Sequence, residues 1–554
     1  MKQKKSLMYV FLEGSAALYA IMMLVLFPLF YANNFIDIST AKLSFFRVCS
    51  IGLPLLIFMF AGMGWLQKYK ESVQQKGKNH KKKGKTAPRQ ETAAMTKGEA
   101  VKKWLSEISV PGWFALVFTV GVCIATIFSA NPLESWQGLG GRKLGLQVFL
   151  LCVVSYVLLG KYLRPGKWLI WTFFAGNSIV CTLAVLNFWA VDPLGMYENL
   201  VKEQYDMFIS TIGNVNACSS YLCMVVPAAM AVYMVVKTKA LRAAAAVFLV
   251  LGFWTCYCTV SESWLLGVGA AFLVLLWFAM SNNEYMQRFL EIFGLFWLAS
   301  LLMKISCFIG SGAGSQSLMF LKFYANKVQK DIVLNGYLLA AEGILIAGGM
   351  LLIRSRKKRQ KELPSRLLRI CVFGVLAVIA GFGIVCLIAA NVKQEDWQGT
   401  FAFLNKLKIK DNFGSSRGYI WKITVKGWAG LPLWDKITGY GLNCYNMFIE
   451  QYGGEGVASA FGGAKLVDAH NELMQFMTTT GVLGTVGYFG LLIGTAVRTA
   501  KKYIQKPIMM LGAAVICGYL AQGIVNNPTA FLTPYLFLAL GIIKSLENLE
   551  NVEK

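Results

Sequence analysis

Apolar runs of about twenty residues recur along the whole of this chain, and nothing else constrains its fold as much. A bilayer-crossing helix needs roughly 20 consecutive apolar residues. Only 15% of the 554 residues are charged, against about 25% in a soluble domain, and the mean hydropathy is +0.53. Too few charges remain to coat a water-facing surface of this size. The pattern excludes a soluble enzyme, a disordered chain and a secreted disulfide scaffold. It predicts an all-α polytopic membrane helical bundle.

The runs predict about 14 crossings, at 7–31, 43–66, 111–130, 146–160, 168–190, 214–236, 243–260, 264–281, 289–309, 332–353, 370–390, 471–497, 508–526 and 529–543. Two short hairpins, near Ser261 and Pro528, would reduce the count to 12 if they do not cross. Met1–Lys5 is basic and the apolar stretch after it is too long for a signal-peptide core, so the first run is expected to stay as an uncleaved crossing. Alternation then places most Lys and Arg on one side, densest at Lys81, Lys82, Lys83 and Lys85 and at Arg354–Arg359. The positive-inside rule makes that side cytoplasmic, with both termini inside a multi-pass protein of the cell membrane. The net charge of +26 is accounted for by topology and contact with membrane lipids. No base-stacking or groove-reading pattern accompanies it, so nucleic acid is not an expected partner.

The expected division is an N-terminal transmembrane hairpin (1–67), a basic disordered cytoplasmic linker (68–107), a transmembrane core (108–390), a large extracytoplasmic loop (391–470), C-terminal transmembrane helices (471–543) and a cytoplasmic tail (544–554). The linker is a Lys/Gly/Gln/Thr stretch with no apolar face. The loop differs from it. It holds Trp397, Trp421, Trp428 and Trp434, and its nine basic and seven acidic residues nearly balance. Structureless loops much longer than about 15 residues are uncommon unless functional. Short helices against the outer membrane face, covering a cavity, are expected there.

The 13 cysteines lie almost entirely inside apolar runs without a CxxC pair, which supports neither a disulfide framework nor a zinc site. The chain lacks GxxxxGK[ST] and HExxH, so ATP hydrolysis and zinc catalysis have no support. No internal repeat or inverted half-and-half symmetry is evident. There are two histidines. His80 lies in the linker. His470, in Asp468-Ala469-His470-Asn471-Glu472-Leu473, stands where the outer loop enters a crossing. Imidazole is the usual general base near pH 7, and a helix N-terminus keeps it neutral; equally, it could be an interfacial polar residue. Asp468 could orient it. Arg142, in a glycine-rich outer loop, suits either bidentate phosphate recognition or a lipid-head contact. Arg417 is a second outward cation near Trp421, with Lys422 beyond it. Asn214 and Asn216 open a crossing and could cap it or bond a sugar. Glu262 sits at an outer hairpin, where a carboxylate at membrane depth needs a partner.

Together these pieces resemble the O-antigen ligase and O-antigen polymerase superfamily of bacterial envelope glycosyltransferases. His470-Asn471-Glu472-Leu473 followed by Thr480-Gly481-Val482-Leu483-Gly484 resembles its H-N-x-x-L…G-x-x-G signature. Gly439-Tyr440-Gly441-Leu442-Asn443 is similar to its G-x-G step, Arg417-Gly418-Tyr419-Ile420-Trp421 to its R-x-x-x-W segment, Gly141-Arg142-Lys143-Leu144-Gly145 to its early R-x-x-G loop, and Gly213-Asn214-Val215-Asn216 to its G-N-x-N helix start. The ordered series covers roughly 130–530. The sequence departs from the family where Glu262 stands in place of a frequent arginine, in about two additional crossings, and in the basic linker.

The resemblance implies an enzyme that moves a glycan from a polyprenyl-diphosphate carrier to an acceptor hydroxyl at the outer face, without cofactor or metal. The acceptor would be a glycan, a lipid or a wall polymer. It further implies catalytic roles for His470, Arg142 and Arg417, and donor or acceptor contacts from Asn214, Asn216, Glu262, Trp421, Lys422, Tyr440 and Asp468. Ligase and polymerase are not separated by these motifs. The competing class is a flippase for lipid-linked oligosaccharide.

Overall fold

The structure, a computed structural model, describes residues 7–80, 99, 102, 105–315, 317–392, 396–454 and 465–549. It is almost wholly helical. The long helices are α1 (Leu7–Leu29), α2 (Ile38–His80), α3 (Val110–Ile127), α4 (Leu146–Tyr162), α5 (Lys167–Phe188), α6 (Val215–Val235), α7 (Lys239–Cys258), α8 (Ser263–Ala279), α9 (Asn283–Gly312), α10 (Gly336–Lys358) and α11 (Ser365–Val392). After the large loop come α12 (Glu472–Thr479), α13 (Gly481–Lys502), α14 (Met510–Gly523) and α15 (Leu532–Asn548). Among the described residues, ten helices are long and apolar enough to cross a bilayer, and α4, α8 and Pro507–Gly523 are shorter apolar helices. The chain is thus a multi-pass helical membrane protein, and every predicted apolar run is helical.

Two expectations change. The predicted crossing 471–497 is not one helix, because it breaks between α12 and α13 at Thr480-Gly481, where Gly481 has φ +62°. The linker was expected to be irregular from residue 68, but α2 continues to His80; its few glycines and good helix formers let the ladder run on past the apolar part. Residues 81–98 of the linker, and 550–554 of the tail, lie outside the described residues.

Loops expected on one side meet at one end of the bundle. At the basic end, Arg288 Nη1 donates to Met234 O (2.7 Å), Asn283 Nδ2 to Lys361 O (2.9 Å), Arg369 Nη2 to Tyr503 Oη (3.1 Å) and Asn548 Nδ2 to Gly160 O (2.9 Å). Arg498 and Lys502 share Glu547. At the opposite end, the loop end, Ala130 N bonds Tyr440 O (3.1 Å), Ala530 N bonds Arg142 O (3.2 Å) and Lys322 pairs with Asp206 (3.0 Å).

Burial separates the helices. In α6, 89% of the apolar window is buried, so it is a central pillar; in α11 the share is 0%, so its apolar surface faces lipid. Hydrocarbon supplies no hydrophobic drive between helices, so close backbone approach through small residues carries the packing. On α13, Gly484 lies against Gly121 of α3, where an added Cβ would come within 2.7 Å of the Gly484 Cα; a Cβ on Gly487 would meet Phe118 N at 2.3 Å. The chain's strands, among the described residues, are one antiparallel pair, Phe208–Ile209 with Gly213–Asn214. Gly213 (φ +99°) turns this hairpin into α6.

Candidate functional site

The break in the 471–497 segment is the foundation of the site. A helix that stops leaves its last carbonyls without donors. Here the Gly439-Tyr440-Gly441 step supplies them: Tyr440 N bonds Thr478 O (2.9 Å) and Gly441 N bonds Thr479 O (3.1 Å). Gly439 (φ +89°) and Gly481 (φ +62°) pass so close that a Cβ on Gly439 would meet Thr479 O at 2.4 Å, and one on Gly481 would meet Ile437 O at 2.4 Å. The two glycine motifs therefore interlock. Beyond them, Asn443 reaches the first loop, donating to Glu134 Oε1 (2.5 Å) and Gly140 O (2.7 Å) and accepting from Leu144 N (3.4 Å). That contact holds the glycine-rich turn carrying Arg142.

Arg142 meets Asp468. Nε and Nη2 both stand 2.5 Å from Asp468 Oδ2. The other oxygen serves His470: Oδ1 accepts the His470 backbone N–H (2.9 Å) and lies 3.4 Å from Nδ1. This turn puts His470 at φ +46°, a left-handed conformation that costs a non-glycine residue roughly 1–2 kcal/mol. Asn471 holds the next step, its Oδ1 accepting from Met474 N (3.0 Å) at the start of α12 and its Nδ2 donating to Ile524 O (2.8 Å). Gln475 Oε1 accepts from Ala469 N (2.9 Å). The histidine is thus fixed from both sides.

The charges are coupled. Burial pushes the His470 imidazole below its ordinary 6.5; Asp468 pulls it up, and Arg142 and Arg417 press it down again. Burial alone would raise the Asp468 carboxyl, but Arg142, His470 and the hydrogen bonds from both outweigh it and hold it below the ordinary carboxylate value. Arg417 is lowered by burial, against the opposing fields of Asp468 and Glu262. Hence Arg417 and Glu262 lie within electrostatic reach of the same cluster. Arg417 follows three left-handed residues, Gly414, Ser415 and Ser416 (φ +57°, +58° and +70°). Its Nη1 donates to Gly414 O (2.8 Å), and its buried Nε has no hydrogen-bond partner among the described residues.

A cavity of about 340 Å³ opens at this point. Its walls include Arg142, His470, Asn214, Asn216, Lys42 and Asn527. Asn214 caps α6, accepting from Asn216 N (2.9 Å). Asn216 Oδ1 accepts from Ser261 Oγ (2.8 Å), which brings the Glu262 hairpin to the cavity's rim. Asp468, Arg417 and Glu262 are not among its walls but belong to the coupled charges beside it, and three predicted residues lie elsewhere. Lys422 is exposed and pairs with Asp411 at 3.7 Å. Trp421 packs on Phe413 with ring centroids 5.9 Å apart. Tyr440 donates its hydroxyl to Gln451 and packs against Phe448 and Tyr452 inside the loop. None of these three lines the cavity.

The sequence reading missed Lys42, Ser220, Gln522, Asn526 and Asn527. Lys42 is buried, with its ammonium donating to Phe27 O (3.0 Å), Pro28 O (2.9 Å) and Phe30 O (2.9 Å) at the end of α1. It precedes the predicted crossing 43–66, where a lysine reads as an ordinary flanking charge. Asn526 Nδ2 donates to Ser220 Oγ (2.9 Å) and Gln522 Oε1 (3.1 Å). Asn527 is 8% exposed, and its amide nitrogen has no partner among the described residues. The pair Asn526-Asn527 before Pro528 was a signal, since amides between two apolar runs require hydrogen-bond partners. Glu472, next to the motif histidine, faces away into the bundle and accepts from Tyr488 (2.8 Å) and Tyr519 (2.7 Å).

Among the described residues no cluster of three or more His, Cys, Asp or Glu side chains is placed to hold a metal ion. The thirteen cysteines are free thiols, and Cys444 is buried against Ser129 and Ser135. In comparisons with known proteins, no family model matches the chain and no curated protein matches it.

Proposed function

We propose that the chain is an O-antigen ligase-like glycosyltransferase. It moves a polyprenyl-diphosphate-linked glycan to an acceptor hydroxyl at the outer face of the membrane, as a polysaccharide ligase or polymerase. The loop end is outside and both termini are cytoplasmic in this reading. The observation that carries it is the convergence of Arg142 and His470, from segments far apart in sequence and joined through Asp468, on the wall of one cavity at the end of a membrane bundle.

The chemistry follows from the geometry. Asp468 faces Nδ1 of His470, so the imidazole keeps its proton there and presents the Nε2 lone pair. Depressed basicity leaves the ring neutral at pH 7 and ready to accept a proton. The acceptor oxygen attacks the anomeric carbon, and its proton passes to Nε2. The bond from that carbon to the diphosphate oxygen breaks, and the electron pair leaves with the lipid diphosphate. Charge develops on that leaving oxygen, where fixed cations stabilise it most effectively in a water-poor site. Arg142 and Arg417 are those cations. Asn214, Asn216 and Glu262 line or rim the space where sugar hydroxyls would lie, while Trp421, Lys422 and Tyr440 act through the structure of the loop.

The test replaces His470 and Arg142 separately with Ala, confirms membrane expression and analyses polyprenyl-linked glycans. Transfer should fall by about 10²- to 10⁴-fold for His470→Ala, the range of a lost general base, with donor accumulating on the outer face. Donor retained inside would support a lipid-linked oligosaccharide flippase instead. Normal surface glycan in both variants would remove the assignment. Single repeats on the lipid would indicate a lost polymerase, and long unattached chains a lost ligase.

A further inference from the structure

A second cavity, of about 500 Å³, lies between α5, α6, α14 and α15 and is separate from the site above. Its walls are almost entirely apolar, with Phe173, Met224, Ala228, Val515, Leu538 and Ala539 among them. It runs along α15 from Tyr535 to Leu546, about 17 Å at 1.5 Å per residue. That is close to the roughly 15 Å hydrocarbon depth of a single leaflet.

The two ends of this crevice differ. Towards the loop end it is closed by packed rings. Tyr221 and Tyr535 lie 4.9 Å apart, Tyr221 and Phe531 5.5 Å, and Phe27 and Phe531 5.2 Å, centroid to centroid. Ser220, Phe531 and Leu532 belong to the polar cavity on the other side of those rings. At the basic end its mouth is formed by Gly166, Lys167, Lys237 and Thr238. Lys167 and Lys237 are exposed there. Gly166 and Thr238 begin α5 and α7, and neither helix start receives a side-chain cap from the described residues. Free N–H groups and positive helix ends favour an anion at such a place. An apolar slot one leaflet deep, ending in two lysines, has the charge and length of one amphiphile.

We propose that this crevice holds one acyl chain of an anionic glycerophospholipid from the leaflet at the basic end, with the headgroup phosphate against Lys167 and Lys237. The ring layer closes the crevice to a chain entering from the polar cavity, so the occupant comes from the opposite leaflet and is not the glycan donor. The proposal is independent of the transferase reading.

Native mass spectrometry of the full chain in detergent, titrated with phosphatidylglycerol or phosphatidylcholine of equal chain length, tests it. The protein should retain one phosphatidylglycerol about 25- to 30-fold more tightly than phosphatidylcholine, at roughly fivefold per lysine. Lys167→Gln/Lys237→Gln, both at exposed positions, should bring the two lipids within about twofold. Ala228→Phe and Ala539→Phe, each filling the crevice from a different wall, should abolish the retained lipid of either kind. Equal retention of both lipids by the wild type would overturn the proposal. So would phosphatidylglycerol retention unchanged in a folded Ala228→Phe or Ala539→Phe protein. Retention of a polyprenyl phosphate with exclusion of phosphatidylglycerol would overturn it as well.

Discussion

Arg142 and Asp468 are separated by 326 positions, yet two guanidinium nitrogens of one lie 2.5 Å from a single carboxylate oxygen of the other. The Asp468 side chain is 1% exposed and that of Arg142 36%. The pair is therefore neither fully screened nor fully desolvated. Asp468→Asn keeps the shape but removes the charge. Loss of a hydrogen-bonded charge contact at a half-exposed partner should cost about 1–3 kcal/mol of stability, less than the 3–5 kcal/mol of a fully buried pair. Thermal unfolding in detergent measures it, and a shift below that of the exposed Lys422→Ala control would contradict the coupling.

The pH dependence of transfer carries a definite sign. Burial, Arg142 and Arg417 lower the His470 imidazole and Asp468 raises it, with a net fall below 6.5. Activity that needs the neutral ring is complete above the lowered value and is lost as pH falls through it. The acid limb of kcat/KM for the wild type should therefore lie below pH 6.5. In Asp468→Asn the raising field is gone, so the limb should move to still lower pH. A limb moving upward in that variant would exclude His470 as the base.

The glycine interlock is expected to tolerate no side chain. Gly481→Ala places a Cβ 2.4 Å from Ile437 O in a left-handed conformation. Strain of about 1–2 kcal/mol adds to a main-chain clash. Accumulation and thermal stability should both drop sharply. Gly348→Ala, where an added Cβ meets nothing within 4 Å, should stay close to wild type in the same assay.

Lys422→Ala should change transfer less than twofold, because its ion pair is exposed at 71% and 61% and such pairs contribute about 0–1 kcal/mol. Arg417→Ala, in the same helix, should lower kcat far more than it raises KM if its cation serves the leaving group. Equal effects of the two variants would place Arg417 among ordinary loop charges.

Much of the architecture was legible because period and length speak directly in a membrane chain. Every predicted crossing is helical, and loops assigned to one side do meet. The site was legible in part. His470, Asp468, Arg142, Asn214 and Asn216 stand out as polar groups at helix mouths, and they do converge. Trp421, Lys422 and Tyr440 lie in or beside the same motifs, yet Trp421 and Tyr440 pack within the loop and Lys422 faces solvent; adjacency in sequence does not fix direction on a short helix. Lys42 and Asn527 escaped because each sits beside an apolar run, where a polar residue has an innocent interfacial explanation until the partner helices are known. The helix break at Thr480-Gly481 was hidden for a similar reason: a glycine in an apolar run reads as packing, and only the opposing glycine-rich loop segment reveals that it ends a ladder.

That break has a consequence for how the polypeptide can be taken apart. Two amides from the loop complete the ladder of a bilayer segment, so the region after residue 391 is stitched to the core by its own backbone rather than draped over it. Expressed alone it would lack the carbonyls it was shaped to meet, and the severed segment would face lipid with bare acceptors. Exchange of the loop between homologues should succeed only when its glycine step and the glycine of the receiving helix travel together.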